Sequence, residues 1–361
     1  MIDTIELIIK LKNKDDRDEM FVTLNNGLRN HNKTKMLHGR EMKNQAKGAD
    51  RHKYYYETSA FYEYGILSLG IEDIIDYGGY SHYSLKAVYK PSVIIYPGDP
   101  YAVCEGGDYE QACAGFNAFI DKLNATCQPK IFPYIDGWSL NRIDYCFQMI
   151  TKYYNEYLHV IKRGDYHKYN KVKFHDSSVH AVGKQVNLNF YDKTHFLMEK
   201  GMVDEDTGFH WIRFEFQCNN KYLRSKKPLD GNNPRQLLDF WDSKLAYRMM
   251  FSKWMEIIGS GDFYSVPEAV GLLKEAMVRK NRVSELKSLL DFSCKRNIAK
   301  NKLSKIYALN NPEFEKKYIE NKLIRTLNRV GINELPLQQE WGIPFLHNPV
   351  LQLFKLGGYS V

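Results

Sequence analysis

Three short segments between residues 140 and 217 repeat the same two-residue period, and this constrains the fold more than any other feature of the chain. On a strand, residues two apart share a face. In Asn141-Arg142-Ile143-Asp144-Tyr145-Cys146-Phe147, the side chains of Ile143, Tyr145 and Phe147 face one way, and Arg142 and Asp144 the other. In the segment 186–193, Val186, Leu188 and Phe190 back onto Asn187, Asn189, Tyr191 and Lys193. In the segment 212–217, Ile212, Phe214 and Phe216 back onto Arg213, Glu215 and Gln217. Strands of this kind predict a sheet with one packed face and one polar face.

Other elements fall around these three. Ile5, Leu7, Ile9 and Leu11 alternate with Glu6 and Lys10 as a first strand, and strand-like runs recur at 65–71 and 84–96. The polar stretch 12–53 has few apolar anchors and is expected to include surface loops. Asp108 is the expected N-cap of a helix to Leu123 that places Phe116, Phe119, Ile120 and Leu123 on one face. A helical segment to Ile161 follows the first of the three polar-faced strands. Turn signals at Pro228, Gly231 and Pro234 close this part, and strand-helix-strand recurs in both its halves as a possible pseudo-repeat. From Gln236 the period is helical, with further helix starts at Ser265-Val266-Pro267 and at Asn311-Pro312-Glu313, the last running to Gly331. The reading is α+β: an antiparallel sheet with flanking helices over residues 1–230, then an all-helical domain over 235–361.

Charge separates the two parts. The 361 residues carry a formal +8, but residues 271–330 hold 15 Lys and Arg against 6 Asp and Glu, leaving 36 against 37 elsewhere. A localised basic segment on a neutral background points to nucleic acid, while its ordinary alternative is a solvated helical face. Lys295, Arg296, Lys300, Lys302 and Lys305 fall where two helices, 284–292 and 295–307, meet across a short turn that has no glycine. Hydrophobic residues at 43% exclude a disordered chain, and no stretch has the 18 apolar residues of a membrane span. The opening Met1-Ile2-Asp3-Thr4 lacks a basic, apolar leader, so a cytoplasmic protein is expected, with its six cysteines reduced and several of them in the core.

The polar positions of the three strands make a chemical set. Asp144 and Glu215 suit a hard divalent cation. Arg142, Arg213 and Lys193 suit phosphate. Tyr191 is a nucleophile once its proton is removed. Tyr145 is the alternative tyrosine, although alternation turns it toward the core. The ordinary reading of the same set is a solvent-facing network of ion pairs. No His-hydrophobe-His triplet, P-loop or glycine-rich dinucleotide fingerprint occurs. His175 and His180 have no strand or helix reason to converge, and His195 and His210 lie near the motif strands.

Arg142-Ile143-Asp144, Phe190-Tyr191-Asp192-Lys193 and Arg213-Phe214-Glu215, in that order, resemble the rolling-circle replication initiators of plasmids and filamentous phage and the related conjugative relaxases. Ile2-Asp3-Thr4-Ile5 and the stretch from Ser84-Leu85-Lys86 to Tyr96 add to the likeness, which covers residues 1–225. Where relatives carry a Tyr-x-Gly-like strand, this chain has Lys173-Phe174-His175-Asp176. The resemblance implies a site-specific nickase that forms a 5′-phosphotyrosyl link and frees a 3′-OH. It implies Tyr191 as nucleophile, Asp144 and Glu215 as ligands of Mg²⁺ or Mn²⁺, and Lys193 as a phosphate or leaving-group stabiliser. Arg142 and Arg213 would contact phosphate or hold the carboxylates. Origin DNA and a host helicase are the implied partners, with a homodimer as a further option. A conjugative relaxase and a non-catalytic DNA-binding regulator are the alternatives.

Overall fold

The computed structural model describes residues 1–28, 34–35, 40–41, 51–75, 81–203, 208–227 and 234–358. The expected turns at Pro228 and Gly231, and much of the polar stretch 12–53, lie outside them. Compaction divides the chain into two units, Met1–Cys146 with Phe216–Ser243, and Phe147–Glu215 with Lys244–Val361. The division runs through strands, whereas composition marks its boundary at 230–235.

The first unit is an antiparallel sheet of β1 (Ile2–Leu11), β2 (Thr34–Lys35), β3 (Arg40–Glu41), β4 (Arg51–Thr58), β5 (Ile66–Ile75), β6 (Ser81–Tyr89) and β7 (Ser139–Thr151). Its order is β2-β4-β5-β6-β1-β7, with β3 on β4. The helix Tyr109–Thr126 buries Ala112, Phe116, Phe119, Ile120 and Leu123, the face that its spacing foretells. Phe116 is the hub: its ring meets Tyr89, Phe119 and Trp138 edge-on at 5.4 Å each. Gly115 lets the helix approach, since a Cβ there would stand 2.8 Å from the Tyr89 hydroxyl.

The second unit carries β8 (Lys171–His175), β9 (Ser178–Val182), β10 (Val186–Asp192) and β11 (His210–Cys218), ordered β11-β10-β9-β8. Phe190 and Phe214 pack edge-on at 5.6 Å, and Trp254 meets Phe214 at 5.0 Å. Helices Val266–Glu275, Lys280–Lys295 and Lys300–Asn310 enclose a separate core of Leu273, Leu286, Leu290, Leu303 and Tyr307. Arg163 stitches this unit internally. Its buried guanidinium donates to the carbonyls of Ile298, Pro336 and Ser293 and to the Ser293 hydroxyl.

Several expectations are corrected. The strand expected over 84–96 stops at Tyr89, because Pro91 (φ −61°) opens a helical turn, Ser92–Ile95, in which Tyr96 donates to the Ser92 carbonyl. Within the supposed loop 12–53 lies a helix, Lys14–Gly27, capped by the Asn13 side chain on Asp16 N–H at 2.9 Å and anchored by Met20 and Leu24. The period from Gln236 begins as a 3₁₀ turn, Leu238–Phe240, and becomes α-helix at Ser243. Asn311-Pro312-Glu313 starts no helix. Asn311 closes the preceding one, its N–H and Nδ2 both donating to the Tyr307 carbonyl. The next helical stretch runs from Lys316 through a π-turn at Ile319–Ile324 to Val330, and Gly331 (φ +82°) ends it. The pair of basic helices is Lys280–Lys295 and Lys300–Asn310, and Asn297 (φ +47°) takes the left-handed turn position that glycine usually fills. None of the six cysteines is in a disulfide, and Cys104, Cys127, Cys146 and Cys218 are buried. Among the described residues, no helix is long and apolar enough to cross a membrane.

Phe116→Ala leaves a cavity against three aromatic partners and should cost about 3–5 kcal/mol. Urea unfolding followed by near-ultraviolet circular dichroism measures it, and a loss under about 1 kcal/mol would contradict the hub role.

Candidate functional site

Alternation holds on β10 and β11, but their polar face is not simply wet. Val186, Leu188 and Phe190 are buried on one side, and Asn187, Asn189 and Tyr191 lie opposite, partly covered. On β11, Arg213 is 0% exposed and Glu215 6%, alongside the expected core residues Ile212, Phe214 and Phe216. A buried carboxylate needs donors. Glu215 has one for each oxygen: the Tyr191 hydroxyl donates to Oε1 at 2.6 Å and Asn189 Nδ2 to Oε2 at 3.0 Å. Arg213 donates through Nε and Nη2 to Gln148 Oε1 at 3.1 and 2.8 Å.

The other expected ligand lies in the first unit. Asp144, 2% exposed, accepts from Arg142 Nε at 2.9 Å, and Arg142 Nη1 reaches Glu6 Oε2 at 3.3 Å. Asn141 Nδ2 donates to the other Glu6 oxygen, and Lys86 ion-pairs with Glu72. Arg142 thus contacts two carboxylates, Asp144 and Glu6. Within the first unit Arg142 lies with Asp144 and Glu6, and within the second Tyr191 lies with Glu215 and Asn189. Glu6 and Asn189 were not singled out as site residues, although Asn189 sits two positions before Tyr191 on the same face.

Lys193 departs from its expected strand position. Asp192 ends β10 and caps the helix Lys193–Glu199, accepting from His195 N–H at 2.9 Å, so Lys193 is the first helical residue. It is 4% exposed, and its ammonium lies 5.0 Å from the centre of the Phe196 ring, which meets Tyr191 edge-on at 5.9 Å. His210 contacts Asp192 through Nδ1 at 2.5 Å and stacks on Tyr154 at 3.7 Å. It supports the cap. His195 pairs with Glu199 at 3.2 Å on the helix surface. Tyr154, Asp192, His195 and His210 border a cavity of about 270 Å³ that Asp176 and Ser177 also line. Tyr145 is fully buried and donates to the Phe240 carbonyl at 2.7 Å, and burial raises its pKa well above the ordinary value. It belongs to the core.

His175 and His180 do converge, against expectation. The β8–β9 hairpin pairs Lys173 with His180 and His175 with Ser178, and the two imidazoles meet edge-on at 5.6 Å. The signal for the hairpin is the alternation of Val172 and Phe174, then Val179 and Ala181, around Asp176-Ser177.

No family model matches the chain, and none of the curated proteins does.

In the basic helical region, Lys295, Arg296, Lys302 and Lys305 are exposed. The Arg296 guanidinium lies over the Phe292 ring at 4.7 Å. Lys300 is a tether: its N–H donates to the Arg163 carbonyl, its ammonium to the Ile258 carbonyl at 2.7 Å, and it pairs with Glu334 at 3.4 Å. Among the described residues, no group of three or more His, Cys, Asp or Glu side chains is placed to hold a metal ion. Each Glu215 oxygen and one Asp144 oxygen accepts a hydrogen bond from a neighbouring side chain. What the second cluster can do is move a proton, since Tyr191 O–H points at a carboxylate oxygen.

Two histidines of this unit titrate below their ordinary range. Burial lowers His159, opposed by its bond to Asn297 and aided by Arg163 and Lys162. Burial, then His175 and Lys173, lower His180. A histidine whose folded pKa is depressed takes up its proton more readily when unfolded, so stability is full above the unfolded value near 6.5 and falls as pH drops through it. Urea midpoints should therefore decrease between about pH 7.5 and about pH 5.5, and His159→Gln with His180→Gln should flatten that decrease. An equal decrease in the double variant would refute the assignment.

Proposed function

We propose that the chain is a replication initiator that nicks one DNA strand at a plasmid or phage origin, with Tyr191 as nucleophile. The observation that carries this is the 2.6 Å hydrogen bond from the Tyr191 hydroxyl to Glu215, whose second oxygen Asn189 holds. A phenol is a weak nucleophile until its proton, with an ordinary pKa near 10, has somewhere to go. In the proposed step the Tyr191 oxygen attacks a backbone phosphorus and its proton passes to Glu215. The bond from phosphorus to the 3′ oxygen breaks, and that oxygen takes a proton from solvent water to leave as the free 3′-OH. The product is a 5′-phosphotyrosyl link and a primer end. Lys193, fixed by the Asp192 cap and the Phe196 ring, adds positive charge beside the nucleophile. Exposed Lys295, Arg296, Lys302 and Lys305 suit duplex phosphates, and a host helicase would unwind the nicked duplex. A relaxase would use the same step at a transfer origin.

The second reading is a DNA-binding regulator without catalysis. It is favoured by the completeness of the pairing in the other cluster, where Arg142 bridges Asp144 and Glu6 as in an ordinary structural network.

Incubation with supercoiled origin DNA tests the proposal. Tyr191→Phe should abolish the covalent protein–DNA adduct and leave DNA affinity unchanged. Glu215→Gln should slow nicking by about 10²–10⁴-fold, the range for a positioned proton acceptor. Asn189→Ala should slow it about tenfold, the equivalent of one lost hydrogen bond. A full-strength adduct from Tyr191→Phe would sink the nucleophile, and no adduct from the native chain on any origin would favour the regulator. The same assay with EDTA, Mg²⁺ or Mn²⁺ measures the cation requirement that the resemblance implies.

A further inference from the structure

Cross-strand register places an exposed cationic surface on the same sheet face as Tyr191. Asn189 pairs with His180 and Tyr191 with Ser178. On the next strand His180 pairs with Lys173, Ser178 with His175, and Val182 with Lys171. Directly paired residues point to the same face. Two rows therefore cross the sheet from the candidate nucleophile to its edge: Tyr191, Ser178, His175 and Asn189, His180, Lys173. Neighbouring strands lie about 4.8 Å apart, so the edge residues stand about 10 Å from the β10 positions. The intervening Val179 and Ala181 are buried on the opposite face, which fixes the orientation of the hairpin.

We propose that this face of the β8–β9 hairpin binds the single DNA strand adjacent to the scissile phosphate. The choice of occupant rests on the nickase reading; the surface itself does not. Charge complementarity favours a polyanion. Lys171 and Lys173 are exposed and make no ion pair among the described residues. Across the second-unit positions of β8 to β11 that share this face, the one acidic residue is Glu215, whose oxygens are engaged. The edge-to-face imidazoles of His175 and His180 add flat rings beside the lysines, on which unpaired bases can stack whatever their sequence. A duplex keeps its bases stacked internally and offers no face to such rings. The hairpin surface selects a single strand.

The test is fluorescence anisotropy of the full chain with a labelled oligothymidylate of about 16 nucleotides, a length within single-strand site sizes. Lys171→Gln with Lys173→Gln should reduce the slope of log affinity against log salt by about 1.4, corresponding to two phosphate contacts at about 0.7 each. His175→Ala with His180→Ala, measured above pH 7.5 where the rings are neutral, should weaken binding about tenfold with the slope unchanged. An unaltered slope in the lysine variant, with an unaltered urea midpoint, overturns the proposal. An equal change of slope on a duplex of the same length overturns the preference for a single strand. Oligothymidylate carries no origin, so the outcomes separate. A reduced slope without origin nicking leaves the surface standing and removes the nickase reading, and nicking with an unchanged slope does the reverse.

Discussion

A carboxylate in a nearly dry sheet face must find a donor for each oxygen, and that requirement organises the polar side of this protein. Glu215 satisfies it with Tyr191 and Asn189 from the neighbouring strand. Glu6 satisfies it with Asn141 and Arg142, and Asp144 shares that same guanidinium. Such bonds exist in one strand register only. A slip of one residue would turn Tyr191 and Asn189 into the core and leave Glu215 buried without partners, at several kcal/mol. The polar face therefore specifies pairing as strongly as Phe190 and Phe214 do from the other side.

The same requirement sets the hydrogen-bond environment of Tyr191. A tyrosine hydroxyl donating to a carbonyl, as Tyr145 does to Phe240, is a structural group whose proton has no acceptor to pass to. A tyrosine hydroxyl donating to a carboxylate is different, because the acceptor can take the proton. The two tyrosines separate on this point without reference to any relative.

Much of this was legible in the sequence. Apolar alternation located β10 and β11, set Tyr145 inward and Tyr191 outward, and the spacing of Phe116, Phe119, Ile120 and Leu123 gave the helix face that is buried. Three kinds of feature were not. The β8–β9 hairpin is short and polar, with three of five β8 positions Lys or His, so its period was masked and His175 and His180 were judged apart. Continuing the period of β10 puts Lys193 on a strand that Asp192 ends by capping the following helix. Lys300 was grouped with its exposed neighbours, since charge alone does not distinguish a solvated lysine from one spent on the Ile258 carbonyl and Glu334. In each case the deciding partner is remote in sequence or sits one residue beyond the period.

Arg163 carries a consequence for handling the protein. Its charge is met by four neutral acceptors, three carbonyls and a hydroxyl, in an interior where mobile ions do not penetrate. Phosphate contacts made by exposed lysines weaken steeply as salt rises, because bound counterions are no longer released at a gain. The internal tie has no such dependence. Concentrated salt should thus weaken ion contacts at exposed lysines while leaving the second unit closed around its guanidinium, so high and low ionic strength suit the same fold.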